Sequence, residues 1–87
     1  MQTEDHRHRV AAERRERMRS RLLQTALQLV ARKGVIGISI DEVIRAAHVS
    51  RGTFYNYFPS AEALVREVAT EITQQLARIV EPALRRR

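Results

Sequence analysis

The 87-residue chain contains no cysteine and no tryptophan, and only two prolines and three glycines. Without cysteine, neither a disulfide framework nor a thiolate metal site can supplement the core, and no extracellular compartment is implied. No apolar run approaches the roughly 20 residues that a transmembrane helix needs. The N-terminal residues MQTEDHRHRV lack the apolar segment of a secretory signal. We therefore expect a cytoplasmic protein with one small domain, stabilised by side-chain packing.

Aromatic residues are scarce too, and their distribution is uneven. The chain has two phenylalanines and two tyrosines, and all four lie in the segment VSRGTFYNYF, residues 49–58. They therefore serve one local purpose. Basic residues are abundant: sixteen Lys plus Arg against ten Asp plus Glu give a net charge of +6. That balance favours an anionic partner such as nucleic acid or a membrane surface, although it also serves solubility.

The spacing of apolar and capping residues predicts four helices. Apolar residues from Leu22 to Val30 recur at three- and four-residue spacing and predict an amphipathic helix that ends at Lys33-Gly34. Ser39 stands three residues before Glu42, the spacing of a capping box, and opens a short second helix that ends at Ala47. Ser50 caps a third helix over residues 51–58, which Pro59 stops, and Ser60 caps a fourth helix that Pro82 limits.

Residues 1–19 form a polar, arginine-rich arm before these helices. Its inner part, AAERRERMRSR, contains good helix formers and can extend the first helix backwards, whereas we expect disorder before about Val10. The predicted division is an arm at 1–19, a helix-turn-helix domain at 20–60, and a connecting helix with a basic end at 61–87.

Two short helices separated by three residues and braced by longer helices are the helix-turn-helix arrangement, so the predicted fold is all-α and homeodomain-like. Phe54 and Phe58 share one face of the third helix and, with Val49, are predicted to enter the core. The rest of that helix carries donors or acceptors, and segment 43–61 has no carboxylate. Its positive N-terminus would face a phosphate or a base edge.

Other functions explain the sequence less well. His6, His8 and His48 form no catalytic constellation, and no phosphate loop or metal-ligand spacing is present, so we expect neither an enzyme nor a cofactor. A membrane-surface peptide would leave the capped helix-turn-helix unexplained. The stronger alternative is a protein-protein interaction module built on the apolar face of the fourth helix.

The runs LLQTALQLVARKG and SIDEVIRAAHVSRGTFYNYFPSAEAL, over roughly residues 20–68, resemble the DNA-binding domain of tetracycline-repressor (TetR) family transcriptional regulators. The most specific part is VSRGTFYNYF. The resemblance implies sequence-specific binding of duplex DNA, with the third helix in the major groove, and regulation of transcription, most often repression. It also implies a palindromic operator bound by a homodimer in the full-length context.

The resemblance also assigns roles to individual positions. Ser39 caps the second helix and touches phosphate, while Arg51, Gly52 and Thr53 open the recognition helix, where Arg51 reaches guanine and Gly52 permits close approach. The remaining predicted DNA-binding residues are Ser50, Tyr55, Asn56 and Tyr57, the last as a phosphate anchor. For the two serines, capping alone remains an alternative. For Tyr55 and Tyr57, the alternative is half-buried packing with the hydroxyl in water.

Three positions depart from the family pattern. His48 occupies a turn position that is usually glycine. A histidine is strained there if the backbone is left-handed. Ile44 replaces a customary alanine and is expected to open the angle between the second and third helices. Ala61 replaces a frequent lysine and removes one phosphate contact. The arginines of the arm can compensate, along phosphates or in the minor groove, unless the arm is only a solvated tail.

The family resemblance also includes a C-terminal helical domain that binds a small molecule and forms the dimer. The chain is expected to represent the DNA-binding domain without it, so dimerisation is uncertain and an effector is expected only if such a domain exists.

Overall fold

The computed structural model describes residues 2–86, and these residues form four α-helices without any strand. Helix α1 spans Gln2–Lys33, α2 Ile40–Ala47, α3 Arg51–Tyr57 and α4 Ala61–Arg85. Three residues separate α2 from α3, and the long helices α1 and α4 pack around this pair. The all-α helix-turn-helix prediction is confirmed.

Helix α1 begins much earlier than the amphipathic pattern indicated. We expected disorder before about Val10, but the structure continues the helix back to Gln2. The segment is rich in alanine, arginine and glutamate, which are good helix formers, and it contains neither glycine nor proline. The helix ends as predicted, since Gly34 has φ +82° and its N–H donates to Val30 O at 2.7 Å.

A serine caps each of the three following helices. Ser39, Ser50 and Ser60 have extended backbones, and each side chain accepts a hydrogen bond from the N–H three residues later. The capping box at Ser39 is only half formed, because the Glu42 carboxylate pairs with Lys33 at the end of α1 rather than with the Ser39 N–H. This charged pair lowers the pKa of Glu42 and ties α1 to α2.

The core lies where all four helices meet and contains the two phenylalanines. Phe54 and Phe58 are 0% and 1% exposed, and their ring centroids lie 5.8 Å apart. Val49 is half-buried and packs against the core cluster that contains them. The other buried side chains come from one face of α1, from α2 and from the start of α4: Leu22, Leu23, Ala26, Leu29, Val43, Ala47, Leu64 and Val68.

Two arginines of the predicted arm and first helix connect the elements. Arg21 donates a hydrogen bond to the carbonyl oxygen of Ala47, the last residue of α2. Because the last carbonyls of a helix have no partner within it, this bond stabilises the C-terminal end of α2. Arg19 pairs with Glu67 of α4 at 2.7 Å, and its guanidinium lies 5.1 Å from the centroid of the Phe58 ring.

The turn between α2 and α3 is made by a residue in the left-handed conformation. His48 has φ 57° and ψ 46°, and it is the only non-glycine residue with positive φ in the range 2–86. Its N–H donates to Arg45 O, and the next N–H, of Val49, donates to Ile44 O. The backbone at His48 is therefore left-handed, and the strain expected for a residue with a Cβ atom in that conformation is present.

We expect His48→Gly to raise the free energy of unfolding by about 1 kcal/mol, because glycine adopts the left-handed conformation without the Cβ penalty. The imidazole is exposed, so little packing is lost. The change is measured as a higher urea midpoint at constant m-value. Gln28→Gly, at an exposed position inside α1, is the matched control and should instead cost about 1 kcal/mol. Equal destabilisation by both variants would contradict the prediction.

Helix α4 runs past the core, and Pro82 does not end it. Pro82 lies inside the helix, which continues to Arg85. Pro82 has no N–H and so removes one backbone hydrogen bond of the helix. It lies only three residues before the helix end, so few later hydrogen bonds depend on it. Beyond the half-buried Ile72, the large apolar side chains of α4 are exposed: Leu76, Ile79, Val80 and Leu84. None of the helices in residues 2–86 combines the length and apolar character needed to cross a membrane.

Candidate nucleic-acid interface

Helix α3 presents its polar face away from the core. Phe54 and Phe58 anchor one side of the helix, and the opposite side is accessible. Arg51, Gly52, Tyr55 and Asn56 are exposed, whereas Thr53 and Tyr57 are half-buried. The structure therefore brings six of the eight predicted site residues onto one short helix. Ser50 lies at the N-cap of that helix, and Ser39 lies at the N-cap of α2.

The guanidinium of Arg51 pairs with the carboxylate of Asp41, in the first turn of α2. This hydrogen bond is the main cause that raises the pKa of Arg51 above its ordinary value. Both side chains are about 60% exposed, so the pair is open to solvent and can rearrange. A guanidinium has five N–H donors, so Arg51 can keep this partner and still donate to another acceptor.

The hydroxyl of Ser50 is engaged within the helix. It accepts a hydrogen bond from the Thr53 N–H at 3.0 Å and donates one to Thr53 Oγ1 at 2.9 Å. A serine has one O–H donor, and a phosphate oxygen only accepts. Two hydroxyls can exchange donor and acceptor roles, so one of this pair keeps its proton for a phosphate oxygen while the other donates within the pair.

The space around Gly52 is open. A Cβ atom built there would meet no atom closer than Ser50 Oγ at 4.0 Å. Glycine in a helix costs about 1 kcal/mol relative to alanine, and neither packing nor backbone conformation in this chain requires it. Gly52 thus leaves the backbone uncovered on the exposed side of α3, next to Arg51 and the helix N-terminus.

The family model for bacterial regulatory proteins of the tetR family matches residues 22–68. The match covers more than half of the chain and runs from the buried face of α1 through the helix-turn-helix to the first turns of α4. The chain belongs to the TetR family. The predicted resemblance is thereby confirmed, and the fold of a TetR helix-turn-helix domain agrees with the four helices described above.

Several curated relatives are HTH-type transcriptional regulators. The uncharacterized regulator Rv1255c of Mycobacterium tuberculosis is 36% identical over 84 residues, covering 87% of this chain and 42% of the relative. The repressor DhaR of Mycobacterium sp. is 31% identical over 67 residues (77% and 34%), and the repressor NemR of Escherichia coli is 42% identical over 45 residues (52% and 23%). The chain spans less than half the length of these relatives. No solved structure matches it at a significant level.

Two residues beside the TetR recognition helix are not among the predicted site residues. Asp41 pairs with Arg51, but nothing in its spacing indicates contact with a residue ten positions later. Arg15 was placed in an arm without a defined position, yet it lines a cleft against α3. The sequence does contain one relevant signal, the unbroken run of helix-forming residues before Leu22. If that run continues the first helix, the helix geometry places its arginines relative to the core.

Proposed function

We propose that the chain binds duplex DNA sequence-specifically, with α3 in the major groove, and acts as a TetR-type transcriptional regulator, most often a repressor. The observation that carries this proposal is the exposed, carboxylate-free polar face of α3, set on a core that fixes its orientation. Arg51 would read a guanine, and Gly52 would allow the backbone of α3 to approach the duplex. Ser39, Thr53, Asn56 and Tyr57 would contact phosphates and bases, with Tyr55 placed for a thymine methyl.

The experiment that tests the proposal is an amide chemical-shift titration of the whole chain with a short duplex, at low and then at higher salt. We expect shifts that concentrate at Ser39 and at 51–57 and that shrink as salt rises, because phosphate contacts release counterions. Salt-insensitive shifts confined to α4, which vary with protein concentration, would indicate the alternative interaction module instead.

Gly52→Ala distinguishes most directly between an effect on domain stability and an effect on DNA affinity. We expect the domain to be as stable as the parent or up to about 1 kcal/mol more stable, because alanine favours the helix. We expect DNA affinity to fall on the order of tenfold, the equivalent of one lost hydrogen bond to a charged group, because the added methyl group holds the duplex away. Thermal unfolding and fluorescence anisotropy measure the two effects. Unchanged affinity in the stabilised variant would contradict the close approach.

We further propose that the DNA-bound form is a homodimer on a palindromic operator. The support is the row of exposed apolar residues on α4, from Leu76 to Leu84, since exposed apolar patches mark interfaces. Two linked recognition helices also bind a palindrome far more tightly than one. Sedimentation of the chain with and without a palindromic duplex tests this proposal, and a one-to-one complex at saturation would contradict it.

A further inference from the structure

A polar cleft separates the N-terminal half of α1 from the recognition helix. Its volume is about 600 Å³, and it is lined by Arg15, Thr53, Asn56 and Tyr57. A second hollow of about 380 Å³ lies between α1 and the same tyrosine, with Arg15 again on its wall. Arg15 and Tyr57 therefore stand together between the two hollows, and the accessible face of α3 continues onto α1.

The cleft is lined by groups that bind an anion. Arg15 supplies a guanidinium, Thr53 and Tyr57 supply hydroxyls, and Asn56 supplies an amide. Among the side chains that the structure describes, no carboxylate lines this cleft, whereas Glu16 lines the second hollow and Asp41 lies on the Arg51 side of α3. A guanidinium flanked by neutral donors suits a phosphate, because the donors satisfy several oxygens without repelling them.

The position of Arg15 is held by the rest of α1. Arg19, one helical turn later, is fixed by its ion pair with Glu67 and by the Phe58 ring below it. Residues four apart lie on the same face of a helix, so Arg15 is directed to the same side as this anchored residue. That side is the one facing α3.

The helical form of the arm also limits how its arginines can contact a duplex. An α-helix with side chains is about 10–12 Å in diameter. The minor groove of B-DNA is only about 6 Å wide. An extended arm can enter that groove, but α1 as a helix cannot. Its arginines can therefore contact the duplex only through their side chains, and a phosphate on the rim of a groove is within easier reach of a helix than the groove floor.

We infer that Arg15, with Thr53 and Tyr57, binds a backbone phosphate beside the major-groove site, so that α1 forms part of the DNA interface. This inference rests on the proposed function, because it needs a bound duplex. It adds a second element to the interface and gives the arm a defined role. It also supplies a cationic phosphate contact in a domain whose α4 begins with Ala61 rather than lysine.

The test compares Arg15→Ala with Arg14→Ala in the whole chain. Arg14 is the adjacent residue and carries the same charge, but it lines a different hollow, with Arg17, Met18 and Arg21. Affinities for a selected operator and for a random duplex are measured by fluorescence anisotropy over a salt series, after circular dichroism has confirmed equal helix content. Tyr57→Phe and the double variant Arg15→Ala/Tyr57→Phe complete the set.

For Arg15→Ala we expect the salt slope to fall by about 0.9 on both duplexes, which is about eightfold in affinity over the decade from 1 M to 0.1 M salt. Arg14→Ala should leave the slope unchanged. The double variant should lose less affinity than the product of the two single losses, since both groups bind one phosphate. Equal slopes for the two arginine variants, with the parent chain still binding DNA, would overturn the phosphate site alone. No binding by the parent chain would overturn the proposed function as well.

Discussion

Replacing Phe54 with alanine is expected to lower the free energy of unfolding by about 3–5 kcal/mol, the usual cost of removing a buried phenylalanine side chain. Phe54 is fully buried and packs against the other aromatic core residue. An 87-residue chain has a total stability of roughly 4–13 kcal/mol at 0.05–0.15 kcal/mol per residue. The variant is therefore expected to lose a large share of its stability, which urea denaturation followed by circular dichroism would show as a much lower midpoint.

Leu76→Ala is the control for that measurement. Leu76 is a large apolar residue on a helix, but it is 56% exposed and lies outside the core. Its replacement should change the free energy of unfolding by less than about 0.5 kcal/mol. A similar loss for the two variants would mean that the core is not centred on the aromatic pair of α3.

The second large effect is expected in DNA recognition. Arg51→Ala should weaken binding to the selected operator and also reduce the preference for guanine at one base pair, by about 5- to 150-fold, the value of one bidentate base contact. Operator variants with each base at that position, measured by anisotropy, give this ratio. Arg85→Ala is matched to it, because Arg85 also pairs with a carboxylate but lies at the far end of α4. Equal losses on every sequence would leave Arg51 as a phosphate contact only.

Asp41→Asn tests the role of Arg51 by removing the charge of its carboxylate partner. Removing the carboxylate takes away a negative charge beside the proposed interface, so affinity for random duplex should rise and its salt slope should steepen. Preference at the Arg51 base pair should fall, because the guanidinium is no longer held by the first turn of α2. Glu81→Gln, which neutralises the carboxylate partner of Arg85, should change neither quantity. A loss of affinity for random duplex in Asp41→Asn would contradict this account.

The local elements could be predicted from sequence because their signals are local. The Ser39, Ser50 and Ser60 caps, the end of α1 at Gly34 and the burial of Phe54 follow from residue types within one or two helical turns. Two local rules misled. Pro82 was expected to end α4, but a proline so near the end of a helix removes only one hydrogen bond. The residues before about Val10 were expected to be disordered, but α1 begins at Gln2.

The candidate site divides in the same way. Which residues of α3 point away from the core followed from their positions relative to Phe54 and Phe58. Whether a given side chain is already engaged did not follow. The Ser50 hydroxyl is engaged by Thr53, and the guanidinium of Arg51 is engaged by Asp41 across the turn. The second of these partnerships joins residues of different helices, so its geometry depends on the angle at which α2 and α3 pack.

The sequence by itself determined the number and order of the helices, the buried face of α3 and membership of the TetR family. These features depend on side-chain periodicity, capping and backbone preference, which act between residues close in the chain. Only the tertiary structure placed Arg15 beside Tyr57, Asp41 beside Arg51 and Arg21 on the last carbonyl of α2. Such contacts arise when packing of the core fixes the helix directions, and a charged side chain carries no local signal of the partner that it will meet.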